Sequence, residues 1–292
     1  MFDVTPASEL SSAGVAIPDS VQVGDTAWRG PAVDRFEADG VVCLRGVLDS
    51  DHVDQLRRDA DRSSESPGPL GYKIGAAGEP GFFYYDFQLH ERLDAFRWLV
   101  FDSAVPDHAA TLMRSNSVTL YYSNMFIKDA GSEASTPWHE DASYSRMHGL
   151  NVINFWLALD TIPTETTLMF KQGSHKRDEP IYTAYHFDPA ADYEHEIITR
   201  DRAPMPPFEH LEARFPTIYW ALEPGDAVVF TQRTLHAAPG NPLNRRRRSA
   251  NLMLLGDDAT YNAAHGESDP PFKDENLDEG AVPHSGNFLR LR

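Results

Sequence analysis

The stretch Thr136-Pro137-Trp138-His139-Glu140-Asp141-Ala142-Ser143-Tyr144 holds a histidine and an aspartate separated by one residue. On an extended strand, residues two apart project from the same face, so His139 and Asp141 can aim at one point while Glu140 is directed away. A neutral imidazole and a carboxylate together suit a divalent transition metal. A second histidine, His236, lies far downstream in Leu235-His236-Ala237-Ala238-Pro239-Gly240-Asn241. Folded alongside the first pair, it completes a set of two histidines and one carboxylate with open coordination positions, the arrangement that non-haem Fe(II) oxygenases use. An H-x-D triplet alone is common in ordinary strands and loops, so the surrounding residues have to carry the reading.

Beyond His236 lies Arg247, within Arg245-Arg246-Arg247-Arg248. Such a run is commonly a solvated cluster at a strand start. Strand parity divides it. Arg247, Ser249 and Asn251 share one face, whereas Arg248, Ala250, Leu252 and Leu254 share the other, mostly apolar one. If His236 lines an interior, the polar face points inward, and an arginine there can clamp a carboxylate with two parallel hydrogen bonds. A keto acid that chelates a metal needs its far carboxylate held in this way. Trp156 sits in an apolar strand, as plain core or as the wall of a cosubstrate pocket. His175, in Gly173-Ser174-His175-Lys176, reads as a turn residue rather than a ligand.

The elements that must position these groups change character along the chain. Residues 1–30 are rich in Ser, Ala, Pro and Gly and read as a surface arm. A short helix over 33–40 ends at a glycine cap, a buried strand covers 41–45, and a helix opening at Ser50 carries Val53, Leu56 and Ala60 at helical spacing. Residues 63–80 read as loop, 82–87 are strongly aromatic, and 93–113 are helical in one or two pieces. From 118 the period is two: strands are expected at 118–128, at the metal stretch, and at 152–160, 168–171, 217–221, 227–230, 234–237 and 247–255, with a turn at Pro224-Gly225-Asp226. The charged, proline-rich residues 177–215 read as a lid-like insertion whose Tyr182, Tyr185 and Phe187 face a pocket. The acidic tail, 257–292, reads as a surface wrap. Helices first and strands after argue an α+β domain, a β-sandwich or jelly roll backed by N-terminal helices, in one domain over 1–292.

Composition narrows the classes. The 292 residues are 41% hydrophobic and 11% aromatic, enough for a substantial core. Cys43 is the only cysteine, so no internal disulfide can form; its apolar setting reads as a small buried hydrophobe, and a reducing, cytoplasmic location is expected. The N-terminal residues show no basic and apolar leader pattern, and no apolar run is long enough to span a membrane. A formal charge of −18 disfavours nucleic acid and anionic membranes as partners. A small-molecule substrate is expected; nothing in the sequence speaks to oligomeric state.

Taken together, the sequence resembles the phytanoyl-CoA dioxygenase family of Fe(II)/2-oxoglutarate-dependent oxygenases over about residues 32–256. The resemblance is carried by Thr136-Pro137-Trp138-His139-Glu140-Asp141 with Tyr144, by Trp156-Leu157-Ala158-Leu159, by Gly173-Ser174-His175-Lys176, by Pro224-Gly225-Asp226, by His236 with Asn241 and Arg247, and by Phe36-Glu37-Ala38-Asp39-Gly40-Val41-Val42. It implies a double-stranded β-helix with His139, Asp141 and His236 as iron ligands and Arg247 on the C5 carboxylate of 2-oxoglutarate. Trp156, Asn124, Asn251 and Ser249 are the further implied cosubstrate contacts, and O2 is the oxidant. Two departures stand out. Glu165-Thr166-Thr167 replaces the family's usual Asn-Gly, and no lysine lies near Phe83, where the acyl-CoA members carry one, which argues against a CoA thioester. Asp141 fills the position that related halogenases leave empty. Hydroxylation of a largely apolar small molecule, with release of succinate and CO2, is therefore the expected outcome. Desaturation, epoxidation, cyclisation and epimerisation use the same ligands. A metal-dependent isomerase or hydrolase without 2-oxoglutarate, and a non-catalytic β-barrel binder, are the rival readings. Phe83, Tyr85, Trp138 and Tyr144 are the candidate substrate contacts.

Overall fold

A computed structural model describes residues 15–16, 18–24, 26–75, 81–182, 203–263, 277–284 and 287–292. The described chain opens with β1 (Val15–Ala16), β2 (Val21–Gln22), α1 (Arg29–Asp39), β3 (Val41–Arg45) and α2 (Ser50–Glu65). The hairpin strands β4 (Tyr72–Ile74) and β5 (Phe83–Phe87) precede α3 (Asp94–Phe101) and α4 (Val105–Leu112). Then follow β6 (Thr119–Lys128), β7 (Thr136–His139), β8 (Met147–His148), β9 (Val152–Ala158) and β10 (Met169–Lys171). After α5 (Phe208–Arg214) come β11 (Thr217–Tyr219), β12 (Ala227–Thr231), β13 (His236–Ala238), β14 (Arg247–Leu255), β15 (Thr260–Tyr261) and β16 (Leu289–Arg290).

Local chemistry sets several boundaries. Helix α1 stops at Gly40, which adopts φ 78° and returns its N–H to the Phe36 carbonyl. A β-carbon there would also collide with His175 and Thr234, so the position needs glycine twice over. Helix α2 is capped by Asp49, whose carboxylate accepts the His52 N–H at 3.0 Å, one residue before the expected start. Pro106 sits in the first turn of α4, where a missing N–H costs nothing.

The strands form two facing sheets. The larger runs β2-β3-β12-β9-β14-β6-β5-β4, with β16 also on β6; the smaller runs β1-β11-β10-β13-β7. The architecture is the expected jelly roll, with α1 to α4 on the outer face of the larger sheet and α5 against the smaller one. Period-two patterning places the core. Ile153, Phe155 and Leu157 of β9 pack with Val42, Leu44, Val229, Leu252 and the helices α1 to α4. Their neighbours Trp156 and Ala158 face between the sheets with Val41, Cys43, Val228, Phe170 and Ile218. β9 is buried on both sides, which is why its sequence runs almost continuously apolar. Cys43 lies in this inner layer, and burial pushes its thiol up to about 12, as befits a small hydrophobe rather than a nucleophile.

Three expectations change. Within the expected surface arm, residues 15–16 and 21–22 are strands: β1 adds in parallel to β11 and β2 to β3, one on each sheet, and Trp28 is buried; residues 1–14, 17 and 25 lie outside the described residues. Residues 63–80 contain the end of α2 and the strand β4, which pairs with the aromatic segment as a hairpin at the edge of the larger sheet. In the 177–215 insertion, Tyr182 does not face a pocket. It is buried against Leu211 and Leu235, and its backbone pairs with Ala203. Tyr185 and Phe187 lie outside the described residues. The C-terminal tail adds β15 to β8 and β16 to β6, with Phe288 stacked on Tyr121. Among the described residues no helix is long and apolar enough to cross a membrane.

Candidate active site

The two histidines are cross-strand neighbours. β13 pairs antiparallel with β7, His236 lies opposite His139, and their ring centroids are 4.1 Å apart. Asp141 follows where β7 ends. Glu140 keeps an extended backbone, so the alternation persists for one more residue before Asp141 enters a 3-10 turn. The Asp141 Oδ1 atom lies 3.5 Å from Nε2 of His139 and 3.7 Å from Nε2 of His236. One ligand atom from each of the three residues falls within 4.8 Å of the others.

The tautomers favour a metal. Nδ1 of His139 lies 2.7 Å from the Pro137 carbonyl and Nδ1 of His236 lies 2.9 Å from the Thr234 carbonyl. A carbonyl only accepts, so each ring carries its proton on Nδ1 and turns an Nε2 lone pair to the common point. Burial, helped by the His139 ring and opposed by Asp141, pushes the His236 pKa down to about 4. Burial alone would raise the Asp141 pKa, but His236 and His139 outweigh it and leave it below the ordinary carboxylate value. At neutral pH this gives a neutral imidazole at His236 and an ionised carboxylate at Asp141, the protonation states a divalent cation needs. Asn154, which strand parity places beside Trp156, donates to Asp141 Oδ2 at 2.5 Å. Asn251 in turn donates to Asn154 Oδ1 at 2.7 Å and to Asn124 Oδ1 at 2.9 Å, so a row of amides runs from β6 across β14 and β9 to the carboxylate.

Arg247 enters as strand parity requires. It is 7% exposed, its guanidinium lies 5.3 Å over the Trp156 ring, and its Nη1 has no hydrogen-bond partner. Burial pushes its pKa down to about 10, which still leaves it charged at neutral pH. Directly across from it in the β14–β6 register is Lys128, also buried. No carboxylate among the described residues pairs with either cation. A buried arginine with an open donor fits a carboxylate ligand.

These groups line one cavity of about 880 Å³, part of it open to solvent, between the two sheets. Its outer wall is a row of rings from β5 and β6. Tyr85 and Phe87 meet edge to face at 5.9 Å, Phe87 and Tyr122 at 5.3 Å, and Phe83 stacks on Phe126 at 6.2 Å. Tyr144 meets the His139 ring at 5.8 Å.

The structure therefore gathers His139, Asp141, His236, Arg247, Trp156, Asn124, Asn251, Phe83, Tyr85 and Tyr144 around this cavity. It does not bring Trp138 there. Between the pairs His139–His236 and Thr136–Ala238, β7 takes three steps and β13 two. This β-bulge brings Thr136, three residues from His139, to the same cavity side, while Trp138, next to His139, faces outward by ordinary alternation, against Phe208 and beneath Lys171. Ser249 is buried on the expected face, but it does not line the cavity. His175 is apart from the ligand set, as a turn residue should be. Asn154, Lys128 and Thr136 were missed. Parity from Trp156 and from Asn124 could have found the first two; the bulge that admits Thr136 leaves no sequence signal. Lys128 also lies opposite Phe83 in the β5–β6 register, so a lysine does stand beside that position, supplied by the next strand.

A family model described as phytanoyl-CoA dioxygenase (PhyH) matches residues 36–249. No curated protein matches the chain. Among solved structures, the non-heme alpha ketoglutarate dependent epimerase SnoN from nogalamycin biosynthesis is similar with TM-score 0.69 and 22% identity over 92% of this chain and 100% of that one. The carbocyclase SnoK from the same biosynthesis gives TM-score 0.66 and 21% identity over 99% of both chains. EctD from S. alaskensis gives 0.67 and 17% over 91% of this chain and 92% of that one. At these identities the solved structures establish the shared fold.

Proposed function

The chain belongs to the phytanoyl-CoA dioxygenase family, and from that premise we propose that it is an Fe(II)- and 2-oxoglutarate-dependent oxygenase acting on a small, largely apolar molecule. The observation that carries the reading is the convergence of two Nε2 lone pairs and one carboxylate oxygen within 4.8 Å, with both Nδ1 atoms already committed to carbonyls. His139, Asp141 and His236 hold the iron, and Arg247 holds the far carboxylate of 2-oxoglutarate beside Trp156. A similar fold, SnoN, has been solved in complex with Fe3+, alpha ketoglutarate and nogalamycin RO, which supports the same groups here.

Iron(II) with 2-oxoglutarate and O2 supplies an oxidant able to take hydrogen from an unactivated carbon, with succinate and CO2 released. The protein's own residues do the rest. Asn154 fixes which carboxylate oxygen of Asp141 turns to the metal. Trp156 and Phe230 close the inner wall, and Phe83, Tyr85, Phe87, Tyr122 and Tyr144 offer faces and edges to the substrate while excluding water. Hydroxylation is the outcome proposed. SnoN and SnoK, an epimerase and a carbocyclase on the same fold, favour epimerisation or ring closure as the second reading. The lone, buried Cys43 suits a reducing cytoplasm.

Anaerobic titration with Fe(II) and 2-oxoglutarate tests the assignment. A weak visible charge-transfer band is expected, lost in His236→Ala and strongly weakened in Arg247→Met. Absence of the band from the wild-type protein, with no Fe(II) uptake, overturns it.

A further inference from the structure

Arg247 and Lys128 are partners in the β14–β6 register and project to the same face. Both are almost fully buried, at 7% and 3% exposure, and both line the cavity. Like charges directly opposite on a sheet repel, and burial removes the water that would screen them. Among the described residues no aspartate or glutamate neutralises them. The Lys128 ammonium donates to the Pro239 carbonyl at 2.7 Å, lies 3.5 Å from Thr136 Oγ1, and sits 5.3 Å over the Phe83 ring. Its polar partners are thus neutral oxygens, and an ammonium has three donors to place. Burial, with the Arg247 charge adding to it, holds the Lys128 pKa well below the ordinary lysine value.

We infer that Lys128 is a second cation of the 2-oxoglutarate subsite: it binds the same far carboxylate that Arg247 clamps, and makes the site selective for a dicarboxylate. This rests on the reading of Arg247 given above. A carboxylate has two oxygens and about four acceptor sites, enough for a two-point contact from a guanidinium and one more from an ammonium. Thr136, brought to the cavity by the β7 bulge, stands beside the ammonium and completes the polar end of the subsite. The opposing reading is structural, with Lys128 only tying β6 to the Pro239 carbonyl ahead of β14.

The experiment compares wild type, Lys128→Gln, Lys128→Met, Lys128→Arg and Arg247→Met, each loaded with Fe(II) under nitrogen. Calorimetry measures the affinity for 2-oxoglutarate and for 2-oxopentanoate, which has a methyl group in place of the far carboxylate. Thermal unfolding of the same proteins is followed without ligand. Lys128→Gln, which can still donate to Pro239, is expected to lose about 10- to 100-fold in 2-oxoglutarate affinity and nothing for 2-oxopentanoate. Its ligand-free melting temperature holds or rises, because one buried like charge is gone; Lys128→Met shows the same affinity losses, but its melting temperature falls because the Pro239 carbonyl loses its donor. Lys128→Arg stays within a few-fold of wild type. Unchanged 2-oxoglutarate affinity in Lys128→Gln, or equal losses for both keto acids, overturns the inference while leaving the Arg247 reading intact. A wild-type protein that binds no 2-oxoglutarate overturns both.

Discussion

Asn154 donates its amide to Asp141 Oδ2 at 2.5 Å, while the other oxygen of that carboxylate, Oδ1, faces His139 and His236 at 3.5 and 3.7 Å. One hydrogen bond thereby divides the carboxylate into an anchored oxygen and a ligating one. The donor is itself held, since Asn251 occupies the Asn154 carbonyl and leaves its NH₂ to point at Asp141.

Replacing Asn154 by Ala is therefore expected to lower divalent-metal affinity about 10- to 100-fold without changing which residues bind. Competition between Fe(II) or Mn(II) and a chromogenic chelator measures it. Unchanged affinity in the variant means that Asp141 is positioned by its turn alone.

On the far side of the same segment, Glu140 is fully buried and paired with Arg177 and Arg233, and it accepts the Tyr182 N–H at 2.7 Å. Removing it strands the buried Arg177. Glu140→Ala is expected to cost about 3–5 kcal/mol of unfolding free energy, read by urea denaturation, and to weaken the metal site that its neighbours form. A loss below about 1 kcal/mol would sink this account, because it would place the pair in effectively aqueous surroundings.

The ring wall should set substrate affinity separately from the cosubstrate. Phe87→Ala removes the ring between Tyr85 and Tyr122 and is expected to raise the dissociation constant of any molecule that shifts the visible band by up to about tenfold. Affinity for 2-oxoglutarate should hold. Parallel losses in both indicate a collapsed cavity instead.

Acid should destabilise the fold in a defined window. Burial, reinforced by Arg97, pushes the His90 pKa down from 6.5 to about 4, and His90 contacts Ser123 Oγ at 2.8 Å. The unfolded chain takes up this proton below about 6.5 and the folded one only near 4. The stability contribution of the neutral ring is thus complete above pH 6.5 and declines as the pH falls through that interval. Urea midpoints taken between pH 7.5 and 4.5 should fall in the wild type and fall less in His90→Gln. Equal slopes would show that His90 titrates normally.

Much of this site was legible because side-chain alternation survives any twist of a strand. Parity placed Arg247 inward and Arg248 outward, where the latter now pairs with Asp61 and Asp160. It also separated the ligands His139 and Asp141 from Glu140. The aromatic segment at Phe83–Phe87 was visible as composition but not as a strand. Its partners are β4 on one side and β6, beyond two helices, on the other, and only that pairing makes a strand of it. Trp138 was misassigned to the pocket although it adjoins His139 and alternation already turns it to the opposite face; what alternation could not show is Thr136, which the extra residue of β7 opposite β13 brings round to the cavity.

By itself the sequence determined the residue types, their alternation and hence which faces could be wet, dry or ligating, because these depend on backbone geometry within a few residues. Only the tertiary structure decided which cations share a cavity. Lys128 and Arg247 are 119 positions apart, and their meeting depends on the register between β6 and β14. The same register lets Asn251 reach Asn124, and through Asn154 it connects this end of the sheet to the metal carboxylate. Register is fixed by the summed burial of many side chains on both faces, a property no local stretch of sequence carries.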